Sequence, residues 1–277
     1  MSTHRQEPYL VPAVVSAFGL LNVIAQSDRE SSSHAELARE AGLSKSTAHN
    51  LLTTLEHLGL VQRDPQSRRY RLGAALISLG QSAARHSRLA VLAEERLGPL
   101  AGELGLSFAL FQVDDVGSAR AISRAYPSEP VHVGITLGTR VGPFDGAVGK
   151  CLLAEMSPAD AEQLVADLPI PRHTDATITD ADELLADVAL VREQGWASSI
   201  AELNENHAIA APIAGADGRA ELVIVALGFA GQIPADQAPE LGRRLRESAD
   251  AVTADGGGRT LPGTTTGPDG AQEKSTS

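Results

Sequence analysis

The sequence has little of what disulfide-bonded and metal-binding proteins depend on. Among its 277 residues there is one cysteine, Cys151. One cysteine can form neither an internal disulfide nor a cysteine-based metal site, so we expect a reducing compartment, by default the cytoplasm. His132, His173 and His207 are scattered without ligand spacing, and the glycines lack the Rossmann and Walker patterns. We therefore expect no metal and no cofactor.

Long apolar runs are also missing. No stretch of 18 consecutive apolar residues occurs, and the first residues do not show a basic segment followed by an apolar core. We expect neither a membrane span nor a secretory signal. Hydrophobic residues still make up 43% of the chain, which is enough for packed cores. The length suggests about two domains.

The net charge of −12 hides an asymmetry along the chain. Residues 1–88 carry 10 Lys and Arg against 7 Asp and Glu, whereas residues 89–277 carry 13 against 28. A weakly basic front and an acidic remainder are typical of a DNA-binding head on a different kind of body. The asymmetry therefore leaves nucleic acid open as a partner of the front part.

The front part has the pattern of a winged helix-turn-helix. A mostly buried helix is expected from Tyr9 to Ala25, and a short one begins at Ser33, whose spacing to Glu36 fits a capping box. Gly42 ends that helix, and Ser44 caps a third helix with one apolar stripe. Residues 61–72 read as a hairpin bearing arginines.

Such a head would place its third helix in the major groove and its hairpin against the backbone or minor groove. Polar helix residues would reach bases and phosphates, and the arginines would reach phosphates. The predicted DNA-binding residues are Ser44, Lys45, Ser46, Thr47, His49, Asn50, Thr53, Arg63, Arg68 and Arg69. The alternative is that this pattern has no DNA-binding role, because any surface helix has a polar face and helix-turn-helix pairs also occur in proteins that do not bind DNA.

The rest of the chain predicts an α+β domain. Residues 73–88 should form a linker helix, whose stripe of Ala75, Leu76, Leu79 and Ala83 serves either a dimer interface or packing within one chain. A helix follows at 89–104. Strands are expected at 107–113, 118–125, 131–135, 196–199, 208–213 and 220–229, and helices at 150–156, 158–168, 180–194 and 234–252. Residues 255–277 read as a disordered tail.

Several of these segments resemble IclR-type bacterial transcription regulators. The residues that carry the resemblance are 37–61, 70–73, 138–154, 192–197, Glu202 and 209–213. Two separated signatures in the right order are far more specific than a helix-turn-helix alone. The sequence departs from the family at Asn50, where arginine is common, and at 204–207, where the usual Pro-Gly is missing.

The resemblance implies a DNA-binding domain at 9–72, a linker helix at 73–88 and a GAF-like, antiparallel-sheet domain at 89–254. That last domain would bind a small effector, in relatives a carboxylic acid, and support a homodimer or a dimer of dimers on a palindromic operator. The implied effector-binding residues are Leu137, Phe144, Ala147, Val148, Ser198, Ser199, Glu202, Ile209, Val225 and Leu227. The alternative is that the apolar residues of this set belong to the core of the domain.

Two other classes of function compete with a DNA-binding regulator. One is an interaction or effector-binding module whose head no longer binds DNA. The other is a hydrolase-like enzyme using Cys151, with Lys150 lowering the pKa of its thiol. A lone cysteine among apolar neighbours is usually inert, so we expect no enzyme. We predict a cytoplasmic, effector-controlled transcriptional regulator, and repression rather than activation.

Overall fold

A computed structural model describes residues 10–26, 32–84 and 87–259. The chain divides into two compact units. The first lies within Met1–Ser87 and includes Thr136–Gly138, and the second takes in Arg88–Ile135 and the chain from Thr139 onward. None of the helices in the described ranges combines the length and the apolar character needed to cross a bilayer.

The first unit is a helix-turn-helix followed by a hairpin and a helix. Its elements are α1 (Pro12–Gln26), α2 (His34–Glu40), α3 (Lys45–His57), β1 (Val61–Arg63), β2 (Tyr70–Leu72) and α4 (Ala75–Ala84). β1 and β2 pair antiparallel. The core of this unit is formed by Leu20, Ile24, Leu37, Leu52, Leu55, Val61 and Tyr70.

The capping signals decide where these helices begin and turn. The Ser33 amide donates to the Glu36 carboxylate at 2.7 Å, and the Glu36 amide donates to the Ser33 hydroxyl at 3.3 Å. This reciprocal pair satisfies two amides that the start of a helix leaves without partners. Gly42 then takes a φ of +65°, which lets the chain leave α2 and enter α3. The predicted capping box is confirmed.

The prediction of a mostly buried first helix is wrong. Leu20 and Ile24 of α1 are buried, but five apolar side chains just before α1 or in its first half are more than half exposed. These are Leu10, Val11, Val14, Val15 and Phe18. The rest of the first unit covers only one side of α1, so the opposite apolar face remains at the surface.

The second unit is a single antiparallel sheet with helices on both faces. Its elements are α5 (Arg88–Leu104), β3 (Ser107–Val113), β4 (Ala119–Ala125), β5 (Arg140–Val141), α6 (Gly146–Glu155), α7 (Pro158–Asp167), α8 (Ala181–Gln194), β6 (Ala197–Ile200), β7 (His207–Ala214), β8 (Ala220–Gly228) and α9 (Ala238–Asp255). The strand order is β5-β4-β3-β8-β7-β6. The predicted α+β class, with an antiparallel-sheet domain after the helix-turn-helix, is confirmed.

Alternation along the central strands separates two cores. Ile209 and Ile224 point to the face covered by α5 and α9, and Ala210 and Val225 point to the face covered by α6. Because side chains alternate with a period of two, neighbouring positions on one strand serve different layers. Ile209 pairs with Ala226 across the ladder, so it shares a face with Ala226 and not with Val225.

The strand predicted at 131–135 does not form. Val131 is largely exposed, and the backbone of Ile135 bonds side chains instead of another strand. The Tyr126 hydroxyl lies 3.0 Å from both the Ile135 amide and its carbonyl oxygen, and Arg124 donates to the same carbonyl. The chain pairs later, through the two-residue β5, which the sequence did not indicate. Most of the predicted tail, from residue 260 onward, lies outside the described residues.

Candidate nucleic-acid interface and ligand pocket

The outer face of α3 presents a row of polar side chains. Lys45, Ser46, Thr47, His49, Asn50 and Thr53 are all exposed. On the opposite face Ala48, Leu52 and Leu55 are buried, which fixes the rotation of the helix. The amphipathic spacing of α3 therefore sets which residues a partner can reach.

Hydrogen bonds at the start of α3 organise part of this row. The Thr47 amide donates to the Ser44 hydroxyl at 3.1 Å, and the hydroxyls of Ser46 and Thr47 lie 3.0 and 2.8 Å from it. Ser44 is thus first of all the N-cap of α3. The Thr53 hydroxyl donates to the His49 carbonyl within the helix at 2.9 Å. His49 and Asn50 lie one turn further along the exposed face.

The hairpin between β1 and β2 has a defined turn. The Asp64 carboxylate accepts hydrogen bonds from the amides of Gln66 and Ser67, and these bonds hold the pKa of Asp64 below its usual value. Arg68 has a φ of +59° and an exposed side chain at the end of this turn. The Arg63 guanidinium lies over the Tyr70 ring, 5.4 Å from its centroid.

Arg69 differs from Arg63 and Arg71 because its partner within the unit is a carboxylate. Its guanidinium lies 3.0 Å from the Glu36 carboxylate, the same group that completes the capping box of α2. Arg71, which sequence reasoning missed, is exposed on β2 and donates to the Gln62 side chain. The alternation of the hairpin, which pairs Arg71 with Gln62, could have indicated it.

In the second unit, a pocket opens between the start of α6 and the sheet. Its cavity volume is about 80 Å³, and it is partly open to solvent. Five predicted effector-binding residues line it: Ala147, Val148, Ser199, Val225 and Leu227. The other lining residues are Phe111, Val141, Asp145, Gly146, Leu203, Asn204, Asn206 and Ala208.

Glycine at position 146 permits this close approach of helix and sheet. Gly146 has a φ of +60°, and a Cβ placed there would lie 3.1 Å from the Ser199 hydroxyl. That distance is too short for comfortable contact, so a larger residue would push α6 away from β6. Gly146 thus allows the first turn of α6 to lie against Ser199.

Five predicted effector-binding residues do not line this pocket. Ser198 and Ile209 project to the opposite face, because each is one position out of phase with a lining residue, Ser199 or Ala208. Phe144 and Glu202 line a smaller adjacent cavity together with Lys150. Leu137 belongs to the first unit and is 39% exposed. The sequence-based grouping of Ile209 with Val225 and Leu227 is therefore corrected.

Glu202 is held by a buried lysine. The Lys150 ammonium lies 2.7 Å from the Glu202 carboxylate and 2.6 Å from that of Asp187, and it donates to the Ser198 carbonyl at 2.8 Å. The Lys150 side chain is only 4% exposed. These contacts join α6, α8 and the loop after β6, and they turn Glu202 away from the pocket.

Sequence reasoning missed the polar residues that do face the pocket. Asp145 precedes α6, and its carboxylate accepts a hydrogen bond from the Gly142 amide at 2.6 Å. Asn204 and Asn206 come from the loop after β6, and the Asn206 amide donates to the Asn204 side chain at 2.8 Å. The only signal for these two asparagines was the missing Pro-Gly at 204–207.

Cys151 is unsuited to nucleophilic catalysis. It is 1% exposed inside α6, and burial raises the pKa of its thiol far above the usual value, an effect that Glu155 reinforces and Lys150 only partly offsets. A thiol held protonated and out of reach of solvent cannot attack a substrate. Among the described residues, no group of three or more His, Cys, Asp or Glu side chains is arranged to hold a metal ion.

Comparison with known proteins gives two family matches. Residues 13–65 match the IclR helix-turn-helix domain, and residues 81–254 match the bacterial transcriptional regulator IclR C-terminal domain. Together the two matches cover the segments that carry the resemblance in the sequence, except residues 70–73. The two domains occur in the order that the structure shows.

Similar proteins are regulators and not enzymes. The chain is 30% identical to the glycerol operon regulatory protein of Streptomyces coelicolor, over 90% of this chain and 98% of that one. It is 30% identical to the uncharacterized HTH-type transcriptional regulator RhmR of Escherichia coli, over 80% and 85%. The crystal structure of an IclR transcriptional regulator from Alicyclobacillus acidocaldarius is similar with a TM-score of 0.75 and 29% identity, covering 90% of this chain and all of that one.

Proposed function

This chain belongs to the IclR family of bacterial transcriptional regulators, and on that premise we propose that it is a cytoplasmic repressor released or engaged by a small effector. The observation that supports operator binding best is the polar outer face of α3 beside an arginine-bearing hairpin. A gel shift with DNA upstream of its own gene tests the proposal. Loss of transcription from that promoter on binding would establish repression, and a gain would contradict it.

We assign base contacts to α3 and phosphate contacts to its first turn and the hairpin. His49 and Asn50 are exposed at the centre of α3, where an asparagine can bond an adenine edge with both donor and acceptor. Lys45, Ser46 and Thr47 lie near the positive end of the helix, which favours phosphate. Arg63 and Arg68 suit contacts to the DNA backbone. Arg69 already pairs with the Glu36 carboxylate, so a phosphate would have to share Arg69 with Glu36.

Asn50→Ala is expected to weaken operator binding by ~1–3 kcal/mol and to relax the preference at one base pair. The physical reason is loss of a two-point contact to a base edge. Binding to the operator and to single-base variants, measured by fluorescence anisotropy, checks it. Arg68→Ala provides the contrast, since it should weaken all sequences alike and lower the salt slope by about 1. Wild-type specificity in Asn50→Ala would show that the groove assignment is wrong.

We propose that the protein binds a palindromic operator as a homodimer or a dimer of dimers. One head makes a small interface with DNA, and a two-fold axis supplies a second head. The exposed apolar face of α1 supports a contact with a second copy. On α4, Ile77 and Leu79 are 63% and 59% exposed, so this helix also has apolar surface for a partner.

For the effector site we propose the pocket beside α6. Its wall is mostly apolar with a few hydrogen-bonding groups, as small-molecule sites usually are. Ala147, Val148, Val225 and Leu227 supply apolar wall, and Ser199 supplies a hydroxyl. Because Lys150 holds Glu202 outside this pocket, Glu202 is not placed to repel the carboxylic acid implied by the resemblance.

Ala208→Phe should leave operator binding unchanged and abolish the response to any effector. Ala208 is half-buried on β7 and lines the pocket, so a phenyl ring there would occupy the free space. A metabolite panel is first screened for compounds that change the operator affinity of the wild type. Their effect should fall at least about tenfold in the variant, which is the loss expected from filling a site. Ala186→Phe, on the exposed side of α8, is the matched control. A fully responsive Ala208→Phe would place the effector site elsewhere.

A further inference from the structure

We propose that the effector is an uncharged molecule, with an apolar body and one or two hydroxyl, carbonyl or amide groups, and that Asp145 excludes carboxylates. This inference rests on the proposed pocket beside α6. It concerns the charge of the ligand, whereas the proposed function concerns only the place where a ligand binds.

The chemistry of the pocket wall carries the inference. Eight of its thirteen lining residues have apolar side chains, and Ser199, Asn204 and Asn206 offer uncharged hydrogen-bonding groups. Among the residues that the structure describes, no lysine, arginine or histidine lines it, and Asp145 is the one ionisable residue in its wall. A carboxylate entering such a wall would lose hydration without gaining a cationic partner.

Asp145 is fixed in this wall. Its Oδ2 accepts the Gly142 amide at 2.6 Å, and its side chain is 30% exposed. It occupies the position before the first turn of α6, where the helix dipole favours a negative charge. Asp145 makes no side-chain hydrogen bond to the first-turn amides of α6, but its negative charge lies beside them and would repel an anion that they attract.

Nearby cations do not change this balance. The Lys150 ammonium is buried between the carboxylates of Asp187 and Glu202, so that cluster has a surplus of negative charge. His173 lies outside the pocket wall, and its Nε2 is 3.7 Å from Asp145 Oδ1. Neither group is placed to pair with a ligand anion.

A cationic ligand is disfavoured for a different reason. The Asp145 carboxylate already accepts the Gly142 amide and has His173 Nε2 3.7 Å from its other oxygen, so an ammonium group would compete with both neighbours for it. The remaining wall is apolar or uncharged, and burial there would strip water from the cation. An uncharged group meets none of these costs, and Ser199 or an asparagine can bond it.

The test uses the full chain and matched compounds that differ only in charge. One set is benzoate, benzamide and benzylamine, and the other is butanoate, butanamide and butylamine. Isothermal titration calorimetry at neutral pH should show each amide binding at least about tenfold more tightly than its acid or amine, the ratio expected for one unfavourable charge contact.

Asp145→Asn removes the charge and keeps the acceptor for Gly142. Its affinity for both acids should rise about tenfold, while affinity for the amides should stay within about threefold. Asp182→Asn, at an exposed position of α8 outside the pocket, is the control and should alter neither. A rise in acid affinity in Asp145→Asn and not in Asp182→Asn would show that Asp145 itself disfavours carboxylates.

Each other outcome contradicts a defined part of the argument. Acids or amines that bind the wild type as tightly as the amides overturn the uncharged class. Acid affinity that is unchanged in Asp145→Asn overturns the role of Asp145. If no compound in either set binds, or if Ala208→Phe binds the amides as the wild type does, the proposed pocket fails together with its charge class, while operator binding stands as a separate measurement.

Discussion

Leu79→Asp is expected to convert the protein to monomers and to weaken operator binding more than about a hundredfold, because a second tethered head contributes that order of avidity. Leu79 is 59% exposed on α4, so the substitution removes no buried contact within the described part of the first unit. A carboxylate in an apolar contact between two copies would lose hydration without a partner. The head should therefore stay folded while the assembly dissociates.

Sedimentation velocity and anisotropy with the operator measure the two effects of Leu79→Asp. Leu190→Asp is the matched control, because Leu190 is 54% exposed on α8 and lies outside the proposed contact. The control should remain dimeric and bind DNA as the wild type does. Leu79→Asp protein that is folded by circular dichroism and still dimeric would exclude α4 from the interface.

Lys150→Met is expected to lower the free energy of unfolding of the second unit by about 3–5 kcal/mol, the usual cost of removing one partner from a buried ion pair. Without the ammonium, the carboxylates of Asp187 and Glu202 would face each other, and the Ser198 carbonyl would lose its donor. Methionine fills a similar volume, so the loss would come from charge and hydrogen bonding.

Urea denaturation followed by Trp196 fluorescence reports on Lys150→Met, because Trp196 is buried in the second unit. Adding Asp187→Asn and Glu202→Gln to the same chain should recover most of the lost stability, since no buried charge then lacks a partner. Lys45→Met, at an exposed position of α3, should change stability by less than about 0.5 kcal/mol. If Lys150→Met were as stable as the wild type, the charges of Lys150, Asp187 and Glu202 would make no net contribution to stability.

Local chemistry made most of the fold predictable. The Ser33–Glu36 capping box, the glycine after α2 and the apolar stripe of α3 act over a few residues, so the sequence displays them directly. The same holds for the alternating strands of the sheet. The strand prediction at 131–135 was wrong because the backbone of Ile135 bonds the side chains of Tyr126 and Arg124, and no local pattern indicates these contacts.

The ligand pocket was only partly predictable, because its composition depends on register. Val225 and Leu227, which were predicted to bind an effector, line the pocket, but Ile209 falls on the opposite face once β7 and β8 are paired. The partners of Lys150 lie 37 and 52 positions away in the chain, on α8 and on a loop. Nothing in the sequence around Lys150 indicates which carboxylates will meet it.

The double use of Glu36 has a consequence for how the head responds to salt. One carboxylate both completes the start of α2 and balances the charge of Arg69 in the hairpin. Binding to a phosphate through Arg69 would then exchange one anionic partner for another, and this exchange displaces fewer counterions from the DNA than a fully solvated arginine would. The hairpin thus has three arginines that are predicted to contact DNA, but the salt dependence of binding would correspond to roughly two of them. If the hairpin arginines contact phosphates as proposed, Glu36 would make DNA binding less sensitive to ionic strength than the number of arginines suggests.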